Sequence, residues 1–178
     1  MHFEYPIRQV AYLVDDVYQA ANEHHSQFGS GPFHVVEKVE VNVEYRGRPD
    51  TPFTSRSGFG QWGDIQIELI ESLDSGPSVL NEMYPPGSNK TGLHHVAVFA
   101  DDLGNTAKRL EQAGISIALK AYLEIMDINV IMADTLGTYG HFIEIYQNGP
   151  QIEGFYEMVK SSAEGFDGKQ LFRELSLS

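Results

Sequence analysis

Two stretches of the chain repeat one pattern of apolar and polar positions. Gln9-Val10-Ala11-Tyr12-Leu13-Val14-Asp15-Asp16-Val17 lies over His95-Val96-Ala97-Val98-Phe99-Ala100-Asp101-Asp102-Leu103. Val, Ala and both Asp coincide, and the rest matches in apolar character. Such self-similarity marks a duplicated structural unit. Each copy runs from a short apolar strand through Asp-Asp into a helix-like stretch and then a glycine. An Asp at a helix start accepts hydrogen bonds from orphan N–H groups and favours the positive dipole end. The pattern predicts a helix over about Val17 to Phe28 with a stop at Gly29. It predicts a second over about Leu103 to Ala113 with a stop at Gly114.

Strand-like segments follow each helix. In the first copy they are Phe33 to Tyr45, roughly Pro52 to Gln61, and Asp64 to Glu71. In the second they are Ile115 to Glu124, Ile128 to Asp134, and His141 to Gln147. β-branched and aromatic residues are frequent in them, and Gly, Pro, Asn and Asp punctuate the gaps. The reading is an α+β protein of two βαβββ modules, residues 1–75 and 92–149. Residues 76–91 link them and hold a short helix within Pro77 to Tyr84. Residues 150–178 form an extension with a helix near Phe155 to Ser162 and a polar, loosely held end.

Strand alternation then sorts the polar residues. In the last strand of each module, Ile65, Ile67 and Leu69 share a face, as do Ile143 and Ile145. Those faces suit packing under the helices. The opposite faces carry Glu68 and Glu144. In the first strands the corresponding residues are Gln9 and His95. One imidazole, two carboxylates and one amide oxygen at equivalent positions form a hard, oxygen-rich ligand set. Such a set suits an octahedral divalent cation with open positions. Zinc, nickel, cobalt, manganese and iron all fit it; magnesium gains little from a histidine. Singly, each residue has a plainer reading. A strand glutamate is often just edge-exposed, and a lone histidine is often structural. The repeat favours the metal reading.

Charge narrows the partners. The formal net charge of −13 opposes binding to nucleic acid or an anionic membrane. The absence of cysteine excludes disulfides, thiolate catalysis and zinc–sulfur sites. The opening MHFEYPIRQV lacks a long apolar region, and no run reaches the ~18 apolar residues of a membrane span. A cytoplasmic protein is expected.

The segments around Gln9 to Asp16, Ile67-Glu68-Leu69-Ile70-Glu71, Gly92-Leu93-His94-His95-Val96-Ala97-Val98 and Gly140 to Tyr146 resemble the vicinal oxygen chelate superfamily. It includes glyoxalase I, methylmalonyl-CoA epimerase, extradiol dioxygenases and the bleomycin-resistance proteins. The resemblance spans about residues 7–147. It implies a half-open barrel of paired modules around a divalent metal, with ligand positions falling on Gln9, Glu68, His95 and Glu144. The Gln/Glu/His/Glu set is similar to one form of glyoxalase I. The epimerase pattern differs at Gln9 and Glu68, and Gln9 argues against extradiol chemistry.

By the same resemblance, the implied activity is a metal-dependent isomerase, epimerase or lyase. Its substrate would chelate the metal through neighbouring oxygens and react through an enolate-type intermediate. Glu144 is the first choice of base and Glu68 the second. Alternatives are a metal-dependent dioxygenase and a non-catalytic small-molecule binder. A small-molecule substrate and a homodimer are the expected partners. His94 and His141 have the wrong strand parity and read as structural; His24 and His25 read as surface or packing residues on the first helix. Phe53, Phe59, Trp62, Phe99, Met126, Met132 and Phe142 are candidates to line a greasy cleft. Arg46, Arg48 and Arg56 are candidates for pairing with a substrate anion, against the plainer reading of a solvated loop.

Overall fold

The computed structural model describes residues 5–175. The far end of the extension, expected to be loosely held, lies partly outside them. The first module runs β1 (Gln9–Leu13), α1 (Val17–Phe28), β2 (Phe33–Tyr45), β3 (Arg48–Trp62) and β4 (Ile65–Ser72). After a short α2 (Val79–Met83) the second runs β5 (Gly92–Ala100), α3 (Leu103–Gln112), β6 (Ile117–Leu123), β7 (Ile128–Ala133), a four-residue α4 (Leu136–Tyr139) and β8 (Phe142–Gln147). The extension adds α5 (Pro150–Ser162) and β9 (Phe172–Glu174).

The duplicated helix starts behave alike. Asp16 accepts from the Gln19 N–H at 2.7 Å, and Asp102 accepts from the Asn105 N–H at 2.8 Å. Each satisfies one of the orphan donors at a helix N-terminus. Gly29 takes the left-handed conformation (φ 74°) and returns its N–H to the His25 carbonyl.

One continuous sheet has the order β3-β4-β1-β5-β8-β7-β6-β2-β9, and β2 also pairs with β3. The sheet therefore curls into an eight-stranded barrel, with β9 as an added edge. Within each module the first and last strands run parallel, β1 with β4 and β5 with β8. Two antiparallel seams join the modules, β1 with β5 and β2 with β6. The second seam is short. Strand β2 meets β9 over Phe33–Val35 and β6 only over Val43–Tyr45. The stretch between is paired on one side only, by β3, and there the barrel opens into a cleft.

Helices cover the outer faces. Val17 and Ala21 of α1 pack on Phe33, Val35, Ile67 and Leu69. Leu103 of α3 packs on Val98, Ala100, Ile131 and Ile145. These are the faces that alternation assigned to the helices. A Cβ on Gly58 would meet Val17 Cγ1 at 2.9 Å, and one on Gly60 would meet Phe33 at 2.8 Å. Glycine at both lets helix and ring sit close to β3.

Some elements depart from expectation. β3 starts earlier than Pro52, and α5 starts at Pro150 rather than near Phe155, because proline is well suited to a first helical turn. Strand β9 was not foreseen. Its three residues are ordered by pairing with β2, a distant contact that local pattern cannot show.

Candidate metal centre

Register places the four candidate ligands in two equivalent pairs. Along β1 and β4, Gln9 lies opposite Gln66 and Ala11 opposite Glu68. Along β5 and β8, His95 lies opposite Phe142 and Ala97 opposite Glu144. Gln9 thus corresponds to His95, and Glu68 to Glu144. In the seam between modules Ala11 faces His95 directly, so both pairs meet at the middle of the barrel. All four residues are buried and line one cavity.

Ligand atoms of Glu68, His95 and Glu144 lie within 4.8 Å of one another. His95 Nε2 is 3.1 Å from Glu144 Oε2 and 3.7 Å from Glu68 Oε2. Yet His95 Nε2, Glu144 Oε2 and Gln9 Oε1 are buried without an aligned hydrogen-bond partner among the described residues. Buried polar atoms are rarely left this way. Three orphaned donor atoms of ligand type on one cavity floor fit a hard divalent cation. Gln9 is already oriented for it: its Nε2 donates to Gln66 Oε1, which leaves its own Oε1 free.

A hydrogen-bond chain sets the state of His95. His94 Nε2 lies 3.0 Å from the Val79 carbonyl, which only accepts, so this nitrogen carries the hydrogen. Burial, then the neighbouring His95, pushes the His94 pKa down to about 3, so its ring is neutral and its Nδ1 bare. His95 Nδ1–H donates to that nitrogen at 2.8 Å. The Nε2 of His95 is left for the carboxylate side. A histidine ligand is commonly fixed this way by the partner of its other nitrogen. His94 is therefore more than the structural residue that strand parity suggested; parity orders backbone directions, whereas these two rings meet edge to face beyond the strand.

The electrostatics agree. Burial pushes the Glu68 carboxyl up to about 7; His95 opposes this, while Glu144 adds to it. Burial works against charge on His95, but Glu144 and Glu68 more than offset it, and its pKa rises. The floor thus attracts positive charge, as a proton or as a cation.

The remaining candidates separate. Phe53, Phe59, Met126 and Met132 line the cavity. Trp62 does not; it packs with His24 and Phe28 on the surface of α1. Phe99 packs on Tyr156, and Phe142 lies beneath His94. His24 and His25 bind Ser30, and His141 binds the Phe142 carbonyl. Arg46 is held by Glu82 and Asp134, and Arg56 by Glu37 and Glu71. None of the three arginines lines the cavity.

Sequence reading missed the extension's share of the site. Ile152, Phe155 and Tyr156 of α5 line the cavity. Arg8 fixes that helix to the barrel, through Glu153 at 2.9 Å and by stacking over Phe99. The buried Tyr156 hydroxyl has no partner among the described residues. Burial, then Glu144 and Glu68, holds this phenol well above its usual pKa, so it stays a proton donor. The Ile152, Phe155 and Tyr156 spacing is visible in the sequence, but it is equally the spacing of a helix packed on a core.

The comparisons agree with this architecture. Residues 8–129 match the family described as the Glyoxalase/Bleomycin resistance protein/Dioxygenase superfamily, and the chain belongs to it. Methylmalonyl-CoA epimerase from Mycobacterium tuberculosis has a similar structure (TM-score 0.56, 18% identity, 83% of this chain and 91% of that one). So does a hypothetical protein from Bacillus halodurans (0.58, 12%, 83% and 96%). A third is a single-substitution variant of Streptomyces coelicolor methylmalonyl-CoA epimerase in complex with 2-nitronate-propionyl-CoA (0.55, 17%, 79% and 94%). At these identities the likeness concerns the fold. No curated protein sequence matches the chain.

Proposed function

We propose that the protein is a metal-dependent isomerase, epimerase or lyase. Its substrate would present two neighbouring oxygens and react by loss of a proton beside a carbonyl. The observation that carries this reading is the set of orphaned ligand atoms on Gln9, His95 and Glu144, beside Glu68, at the floor of one cavity. A divalent ion held there supplies Lewis-acid stabilisation of a developing oxyanion. Glu144 would take the proton on Oε2 once the substrate's own oxygens replace that carboxylate at the ion. Glu68, the second carboxylate of the same cluster, is the second choice. Tyr156 can donate its hydroxyl hydrogen to a substrate oxygen. Burial by α5 and the apolar wall limits water around the reacting carbon. The epimerase activity of two structural neighbours supports this class. All four ligands come from one chain, so the homodimer expected from resemblance is not needed to complete the site.

Metal analysis of the purified protein tests the reading, together with wash-in of solvent deuterium into carbonyl compounds carrying a second oxygen. About one tightly held ion, lost in His95→Ala, and deuterium at the carbon beside the carbonyl are expected. Oxygen uptake by the iron-loaded protein would instead indicate a dioxygenase. Tight ligand binding by a protein that retains no ion would indicate a binder.

A further inference from the structure

We propose that the cavity takes an uncharged organic molecule with an apolar, aryl- or alkyl-bearing body, and discriminates against polyanions such as a CoA thioester. The inference deepens the reading above and depends on it only for the two neighbouring oxygens. Its own support comes from the walls and mouth.

The cavity is about 790 Å³, within the size range of sites for drug-sized ligands and generous for a three-carbon substrate. Its walls are apolar: valines of β2, Phe53 and Phe59 of β3, Leu119 and Met132, and Phe155 and Tyr156 from α5. An apolar body gains from burial there. The charged lining is predominantly acidic. Glu37, Glu40, Glu68, Glu124, Glu144 and Glu174 face Lys38 as the sole Lys or Arg among the described lining residues. Lys38 is paired with Glu40 at 2.9 Å. Arg56 binds Glu37 from outside the cavity. Glu124 and Glu174 receive no such lysine or arginine partner within the lining.

The floor offers no surplus positive charge either. Glu68 and Glu144 offset the two charges of a divalent ion, and neutral His95 and Gln9 add none. A phosphate or second carboxylate on the substrate would find no lysine or arginine beside these four residues in the lining. Donors at the site are phenolic: Tyr156 and Tyr146 line the cavity, and the buried Tyr156 hydroxyl has no partner among the described residues. Neutral donors suit a neutral carbonyl oxygen. Like charges across an interface are strongly discriminating.

The test is calorimetric titration of the full chain loaded with zinc, with zinc content measured on every sample. The probes are 1-phenylbutane-1,3-dione, its para-carboxylate and propionyl-CoA. The neutral diketone should bind saturably. The para-carboxylate should bind roughly tenfold more weakly at moderate salt, and propionyl-CoA weaker still. Glu40→Lys combined with Glu124→Lys should narrow the diketone–carboxylate gap several-fold, while the neutral diketone is little affected. Equal or tighter binding of either anion to wild-type protein overturns the proposal, as does no binding of the diketone by protein shown to hold zinc. The two readings fail separately. Preference for the diketone without retained zinc sinks the metal centre and keeps the charge discrimination. Retained zinc with preference for propionyl-CoA does the reverse.

Discussion

The two modules are equivalent where the candidate ligands sit and different in the hairpins that line the cavity. Glu68 and Glu144 occupy matching positions on β4 and β8, and Gln9 and His95 on β1 and β5. The hairpin strands diverge. β2 and β3 have 13 and 15 residues, whereas β6 and β7 have 7 and 6. The long hairpin contributes Lys38, Glu40 and Phe53 to the cavity lining; the short one contributes Leu119, Val130 and Met132. Support for the ligands differs too, since Gln66 orients Gln9 and His94 orients His95. The pseudo-symmetry is kept at the four candidate ligands and relaxed in the hairpins that line the cavity.

The sharpest way to break this comparison is to neutralise each glutamate in turn. Glu144→Gln should retain at least part of the metal and lower kcat by about 10²- to 10⁴-fold, the usual cost of removing a general base. Glu68→Gln should cost less. Equal effects on kcat would mean that the modules are functionally as well as geometrically equivalent.

A smaller difference should appear in stability without metal. Glu68 is held up to about 7, so between its ordinary pKa and that value the folded chain holds a proton that the unfolded chain has released. Its contribution to stability therefore falls as pH rises through this window. His24, His34 and His94 have lowered pKa values and act in the opposite direction. The comparison must therefore be made against Glu68→Gln. With chelator present, urea unfolding should show the variant gaining on wild type from pH 5 to pH 8, by at most about 3 kcal/mol. A constant difference would count against a buried, proton-holding Glu68.

Next comes the support of the histidine ligand. His94→Leu should weaken zinc binding by about 10- to 100-fold, as loss of a ligand's hydrogen-bond partner commonly does. His94→Asn, whose amide oxygen can accept from His95 Nδ1–H, should recover part of it. Similar zinc affinity in both variants, with folding intact, would remove His94 from the centre.

The smallest effect concerns the helix-covered face. Phe33 lies against Gly60 in the first module, and in the second Ile117 faces Ala133. Gly60→Ala should destabilise by about 1–3 kcal/mol through overpacking against the ring. Adding Phe33→Ile, the second module's choice, should relieve part of that, as read from thermal unfolding.

Much of the fold was legible because the two periodicities are unambiguous here. Asp16 and Asp102 start helices, Gly29 ends one, and Ile67 and Ile145 lie on the covered faces. The four candidate ligands were legible for the same reason, since alternation alone puts Glu68 and Glu144 opposite those isoleucines. His94 was not. Its role depends on where a ring turns after leaving the strand, and on a carbonyl at Val79 that chain order places fifteen residues away. Tyr156 and β9 were hidden because the extension gains its meaning from contacts with Arg8, β2 and Phe99. For Arg46 and Arg56 the sequence left anion binding and a solvated loop both open, and their carboxylate partners Glu82, Asp134, Glu37 and Glu71 are long-range contacts that local pattern does not show.

Both modules lie on one chain, and this has a consequence for inheritance. In a ring built from identical copies of one module, any change to a ligand is made twice, so a glutamine opposite a histidine cannot arise. Here a single codon can alter Gln9 and leave His95 as it is. A lengthened β2–β3 hairpin can reshape one wall without crowding the other. Duplication within the chain turns a symmetric barrel into two separately editable halves, and the divergence now seen between them is what that freedom permits.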